Sequence, residues 1–276
     1  MLKGSWQGKI NLVYEYNEGK TKVKSAYHQS PFQLQRAFYP EGDNICHSVI
    51  LHTAGGIVGG DILTQIIHLL PNSQVFITTP AATKIYRSQE KKAFQNIFIK
   101  LENNTYLEYL PQESIVFNNC QYQQKMRVEL GDNSTWLAWE IIRFGRTARG
   151  ETFTQGQWLN YTEVCHNHQP LWIDRQSLQG ESNLFNEING LASQPVIASL
   201  ILISTDKDKD VIGEIRELIN SQFSDLILGV TTLQQGLLCR YHGNSVSEAK
   251  TCLTAIWQLL RQKYGKNSSN KSRFWQ

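Results

Sequence analysis

Between residues 62 and 142 the chain offers seven short strand-like segments in succession, and no helix of ordinary length is read between them. Residues 62–70, 75–79, 97–101, 106–110, 114–117, 126–130 and 136–142 are rich in β-branched and aromatic side chains. The turns between them come from Pro71-Asn72-Ser73, Glu102-Asn103-Asn104, Asn118-Asn119 and Gly131-Asp132-Asn133-Ser134. This order excludes an alternating βαβ chain and favours an extended all-β domain, for which sandwich, barrel and β-helix all satisfy the pattern. Strand signals continue at 158–165, 171–175 and 196–203, the last apolar enough to be buried on both faces. Upstream, Ile10, Leu12 and Tyr14 alternate with Asn11, Val13 and Glu15 before an Asn17-Glu18-Gly19-Lys20 turn, which predicts a hairpin.

Helical spacing emerges only late. Val211, Ile215, Leu218 and Ile219 recur in a polar background after the charge run 206–210. A clearer helix opens at Ser245, with Glu248 completing a capping box, and carries Ala249, Cys252, Leu253, Ile256, Trp257 and Leu260 on one stripe before Gly265. The stripe is a core face rather than a cofactor site. No internal repeat of fixed period and no linker divides the 276 residues, and a polar tail starts at about residue 266.

A glycine-rich stretch, residues 52–61 (His-Thr-Ala-Gly-Gly-Ile-Val-Gly-Gly-Asp), is answered by Thr-Thr-Pro-Ala-Ala-Thr-Lys at 78–84. Gly55-Gly56 and Gly59-Gly60 allow sharp turns and close backbone approach. A phosphate loop would need Gly-Lys-Ser/Thr opening a helix. Here Asp61 follows Gly60, and its charge would repel phosphate. The stretch therefore reads as a structural bend at a contact surface.

The balance of 27 Lys and Arg against 24 Asp and Glu, net +3, gives no basis for nucleic acid as the partner. No apolar run approaches a bilayer span and the start has no apolar signal core, so a cytoplasmic protein without membrane contact is expected. Five scattered cysteines without a Cys-x-x-Cys indicate reduced thiols. Cys46-His47 with His52, and Cys165-His166-Asn167-His168, lack the spacing of a fixed metal site. There is no Gly-x-Ser-x-Gly elbow and no His-Glu-x-x-His, so no enzyme is indicated.

Two carboxylates inside apolar strands stand out. Glu140 shares a strand face with Trp136, Ala138 and Ile142, and Glu108 lies beside Tyr106. Such a charge is costly unless paired or hydrated. Pairing of Glu140 with an arginine of the run Arg143, Arg146 and Arg149 is the structural alternative to a functional carboxylate.

Taken together these segments resemble the urease accessory protein UreD family, called UreH in some organisms. The matching blocks are Ser30-Pro31 with Gln35-Arg36, Tyr39-Pro40-Glu41-Gly42, residues 52–61, 78–88 and 107–117, and Trp139-Glu140 with Gly145-Arg146, Ala148, Gly150-Glu151 and Phe153. A weaker match runs from Gly236-Leu237-Leu238 to Arg273-Phe274-Trp275, and residues 182–194 depart from the pattern. The resemblance implies a single domain over residues 1–276, mainly β: an elongated β-helix-like body of many short strands with two α-helices in the C-terminal region. It implies a non-enzymatic maturation factor that binds UreF and, through it, the GTPase UreG, and docks on urease apoprotein to assist nickel insertion. It also implies no permanently bound cofactor, only transient nickel(II) transfer through an internal passage. On that reading Glu140, then Glu108, are the candidate nickel-pathway residues. Gly55, Gly56, Gly59, Gly60, Asp61, Thr83, Lys84 and Arg146 are the candidate structural or partner-contact residues.

Overall fold

The computed structural model describes residues 5–205 and 211–264. The elements in chain order are β1 (Gln7–Asn17), β2 (Lys20–Gln29), β3 (Phe32–Leu34), β4 (Ile45–His52), β5 (Ile62–Leu69), β6 (Gln74–Thr78), β7 (Thr83–Ile85), β8 (Ala93–Leu101), β9 (Tyr106–Tyr109), β10 (Ser114–Val116), β11 (Cys120–Leu130), β12 (Thr135–Phe144), β13 (Gly156–His166), β14 (Gln169–Gln179), β15 (Val196–Ser204), α1 (Ile212–Gln222), β16 (Ile227–Leu233), β17 (Gly236–Gly243) and α2 (Val246–Lys263).

The strands wind into a solenoid of about 4 turns, a β-helix with two helices near its C-terminal end. One sheet has the order β14-β13-β11-β8-β5-β1-β2, and its five inner strands are all parallel. The other runs β16-β17-β15-β12-β9-β6-β4-β3, parallel from β4 to β12. The short strands β7 and β10 add a third, narrow ladder that joins the C-terminal half of β12. Successive coils enter the first sheet at Gln7, Ile62, Ala93, Cys120 and Gly156. This uneven spacing is why a repeating architecture carries no fixed sequence period.

Strand alternation places two cores. Ile10, Leu12, Leu63, Ile67, Ile97, Ile99 and Val128 point inward from the first sheet to meet Val75, Ile77, Leu107, Trp136, Ala138 and Ile142 from the second. The opposite face of the second sheet, with Phe76, Leu137, Trp139, Ile141, Leu200 and Cys239, is covered by Ile215 and Ile219 of α1 and by Leu253, Ile256, Trp257 and Leu260 of α2. The second sheet is thus buried on both faces, as parallel sheets ordinarily are. The first is open on its outer face. We call them the covered and the open sheet.

Ser245 caps α2 by accepting a hydrogen bond from Glu248 N at 3.2 Å, but the Glu248 carboxylate accepts from Tyr241 OH at 3.0 Å instead of closing the reciprocal half of the box. Glu18 and Gly19, with φ of 50° and 83°, make the tight β1–β2 turn. The five cysteines are free and buried. No helix among the described residues is long and apolar enough to cross a membrane. The charge run 206–210, the helix stop at Gly265 and the tail bearing Arg273, Phe274 and Trp275 lie outside the described residues.

Candidate functional site: a polar cluster and its adjoining cavities

The inward positions of the open sheet are mostly apolar, with one strongly polar patch. Gln95, Gln124 and Asn160 are register partners on β8, β11 and β13, and with Gln65 on β5 they form an amide cluster inside the solenoid. Across the interior, Glu140 points inward from β12 and Tyr109 from β9, because each shares its face with core residues of the covered sheet. Gln124 Nε2 donates to Glu140 Oε1 at 2.7 Å, and Asn160 Nδ2 donates to Glu140 Oε2. The Tyr122 hydroxyl lies 3.1 Å from Gln95 Oε1 and 3.2 Å from Gln124 Oε1, and Tyr109 OH donates to Gln65 Oε1 at 3.1 Å.

Glu140 therefore has hydrogen-bond donors but no cationic partner among the described residues. Arg143 donates to Thr147 Oγ1, and Arg146 pairs with Glu151 through Nε at 2.9 Å while lying over the Phe117 ring. Neither reaches Glu140. Burial pushes the Glu140 carboxyl up to about 7; the charge of Asp174 adds to this, and the amide donors and Arg240 oppose it. Glu140 is half-buried and lines two cavities.

Three cavities adjoin one another through shared lining residues. The central one, about 70 Å³, is lined by Gln65, Gln95, Tyr109, Gln124 and Glu140, room for roughly two waters at liquid density. It shares Met126, Trp139 and Glu140 with a second cavity of about 40 Å³ that reaches Thr162, Trp172, Asp174, Gln176 and Ser199. At its other end it shares His52, Thr79 and Thr83 with a cavity of about 70 Å³ walled by Gly55, Gly56, Pro80, Ala82 and Lys84. The glycine-rich stretch and its answering segment thus meet as the walls of one mouth.

The bend that shapes this mouth is fixed internally. Asp61, fully buried, accepts from Trp6 N at 2.8 Å and Val58 N at 2.9 Å, and Ile57 N donates to Lys84 O at 2.7 Å. Gly56 has φ of 153°, and a Cβ there would lie 2.5 Å from Lys84 O. Gly60 also has positive φ, at 95°. Gly59 lies so close to Ser88 and Lys91 that a side chain has no space, whereas Gly55 is open. His52, at the junction of two cavities, bonds the Ala54 carbonyl through Nδ1 at 3.2 Å. Burial lowers its pKa, and its Nε2 is enclosed without a hydrogen-bond partner among the described residues.

Glu108 lies elsewhere. It faces the helices from the outer side of the covered sheet, fully buried, and receives Arg261 Nε and Nη2, both at 2.8 Å, with Tyr106 OH at 2.7 Å and Trp257 Nε1 at 3.1 Å. Arg261 Nη1 reaches Glu41 at 2.6 Å, and Glu41 in turn meets His47 Nε2 at 2.8 Å. Burial opposes the charge on Arg261, but Glu108 and Glu41 hold its pKa above the ordinary value. Glu108 lines none of the three cavities. Among the described residues no three His, Cys, Asp or Glu side chains are grouped to hold a metal ion.

Gln65, Gln95, Gln124, Asn160 and Asp174 escape the reading of carboxylates and histidines. The signal that could have found the first four is an amide in the inward phase of a strand, as in Leu63-Thr64-Gln65-Ile66-Ile67 and Tyr122-Gln123-Gln124-Lys125-Met126.

A β-solenoid with a polar cluster and one amide-bound inward carboxylate is the class that this geometry defines. The model of the family described as UreD urease accessory protein matches residues 7–276. "Urease accessory protein UreD" of Trichormus variabilis is 48% identical over 271 residues, covering 98% of this chain and 96% of that protein. The protein of the same name in a Nostoc species is 48% identical over 276 residues, covering 100% and 98%, and that in a Synechocystis species 36% over 256 residues, covering 92% and 95%. The chain belongs to the UreD urease accessory protein family.

Proposed function

We propose that this protein is a non-enzymatic factor of urease maturation that works in the cytoplasm. With UreF and, through it, the GTPase UreG, it docks on urease apoprotein and assists insertion of nickel into the dinuclear active site. Nickel(II) is cargo that moves through the interior passage rather than a resident cofactor. The observation that carries this reading is Glu140: an inward carboxylate whose two oxygens meet only neutral amides, standing where two cavities join. A moving divalent ion needs oxygen ligands that hold it weakly enough to release it, since conduction fails when one site binds too tightly. One carboxylate amid amide oxygens and hydroxyls meets that need, whereas a closed set of Cys and His ligands would trap the ion.

The mouth residues Gly55, Gly56, Thr83 and Lys84 support a contact role at one end of the passage, and Arg146 with Glu151 braces the neighbouring loop. Two measurements test the proposal. Urease co-expressed with UreF and UreG should acquire nickel and activity only when this chain is present. Size-exclusion chromatography of the co-expressed proteins should place the chain with UreF. Full nickel loading without the chain, or separate elution beside soluble UreF, would contradict it.

A further inference from the structure

The open sheet leaves its outer face without cover among the described residues, and that face is patterned. One lateral row crosses all seven strands: Tyr27, Asn11, Ile66, Phe98, Arg127, Glu163 and Ile173 are successive register partners. Tyr27 is 55% exposed, Phe98 48% and Ile173 44%, an apolar content that a solvent-facing solenoid wall does not require. The adjacent row runs Lys9, Thr64, Asn96, Lys125, Tyr161 and Arg175. Lys9, Lys125 and Arg175 are exposed and have no carboxylate partner among the described residues, and Arg175 lies over the Tyr161 ring. Arg127, by contrast, is paired with Glu163 and Glu129, and Lys100 with Glu102. Two shallow hollows flank the rows. One, of about 280 Å³, is lined by Ile66, Phe98 and Arg127; the other, of about 390 Å³, by Lys125, Leu159, Tyr161 and Arg175.

We propose that the outer face of the open sheet is the docking surface for an amphipathic α-helix with an acidic flank, presented by a protein partner. The inference rests on the reading that this chain works inside a urease-maturation assembly. Tyr27, Ile66, Phe98 and Ile173 of this mixed row take the apolar stripe of the helix, the Arg127–Glu163 pair between them is neutralised within the sheet, and Lys9, Lys125 and Arg175 face the carboxylates of the helix. Seven strands at the usual spacing make the row roughly 29 Å long, which matches a helix of about 19 residues. The covered sheet shows the same solution within the chain, where α2 lays Leu253, Ile256, Trp257 and Leu260 across an equivalent face.

The test uses the full-length chain, immobilised, with purified UreF and purified urease apoprotein as separate probes at low and moderate salt. Phe98→Glu is expected to weaken binding of one probe at least tenfold. Lys125→Glu combined with Arg175→Glu should weaken the same probe and flatten its salt dependence, while Ile227→Glu on the covered sheet leaves both probes unaffected. Should Phe98→Glu fail to fold by thermal melting, the exposed Lys125 and Arg175 pair carries the test. Hydrogen exchange on the complex should protect β8 and β11 together with a helical, acidic segment of the probe. Wild-type affinity in all face variants overturns the inference and leaves the assembly reading intact. So does protection of an extended or basic probe segment, or loss of self-association alone, which would assign the face to a second copy. Absence of wild-type binding to either probe overturns the assembly reading, and this surface with it.

Discussion

Glu108 and Glu140 sit on neighbouring strands of one sheet, each among apolar neighbours, yet their surroundings are opposite. Glu108 faces the helical layer and is met by both arms of the Arg261 guanidinium, an indole and a phenol. Glu140 faces the solenoid interior and is met by two amides and a cavity. The difference teaches that burial by itself assigns no role to a carboxylate; the groups that solvate it do. A bidentate arginine fixes the charge and ties α2 to the sheet. Neutral amides leave Glu140 without a fixed counter-charge among the described residues.

The largest expected effect breaks the paired side. Arg261→Met leaves Glu108 and Glu41 buried without their cation, and should lower unfolding stability in urea at neutral pH by about 3–5 kcal/mol. A loss under about 1 kcal/mol would mean that the pair is solvated and that the contrast with Glu140 is false.

The next prediction concerns the unpaired side and has the opposite sign. The folded protein holds the Glu140 proton up to about pH 7, above the ordinary carboxyl value of 4.5. Across that window the native state binds more protons than the unfolded state, so stability falls as pH rises and is flat above it. Glu140→Gln removes this fall. The variant should match wild type near pH 4 and exceed it by about 1–3 kcal/mol at pH 8. Lower stability of the variant at pH 8 would place a hidden cation beside Glu140.

At the mouth of the passage, Gly56→Val should cost about 2 kcal/mol through positive φ and contact with Lys84 O, and Gly55→Ala about 0.5 kcal/mol or less. Equal costs would mean that the bend adapts. A small effect is also expected at Arg146, whose side chain is 37% exposed: Arg146→Ala should leave the denaturant midpoint close to that of wild type. Its Glu151 partner is shielded only in part, unlike the fully enclosed Glu108.

Much of this contrast was legible in the chain. Alternation put Glu140 in phase with Trp136, Ala138 and Ile142, and those residues do share the inner core. The long strands and both late helices followed from apolar period, with helix α2 marked by Ser245. Strand β7 is three residues long, too short for any period to register. The hairpin of β16 and β17 is hidden because β16 has no buried residue and carries Gly229 near its centre. Nor could the period say which carboxylate meets an arginine: Arg261 reaches Glu108 across 153 residues, a contact that only the docking of α2 creates. The amides around Glu140 come from different coils, so no local motif announces them.

The most direct test of the role given to Glu140 is the number of nickel ions per urease active site after co-expression with UreF, UreG and either the wild-type chain or Glu140→Gln, alongside a pull-down of the complex. The expected result is an intact complex with UreF and UreG and a clear deficit of nickel and activity with the variant. Full nickel loading with Glu140→Gln, in a complex of normal composition, would remove Glu140 from the path of the ion.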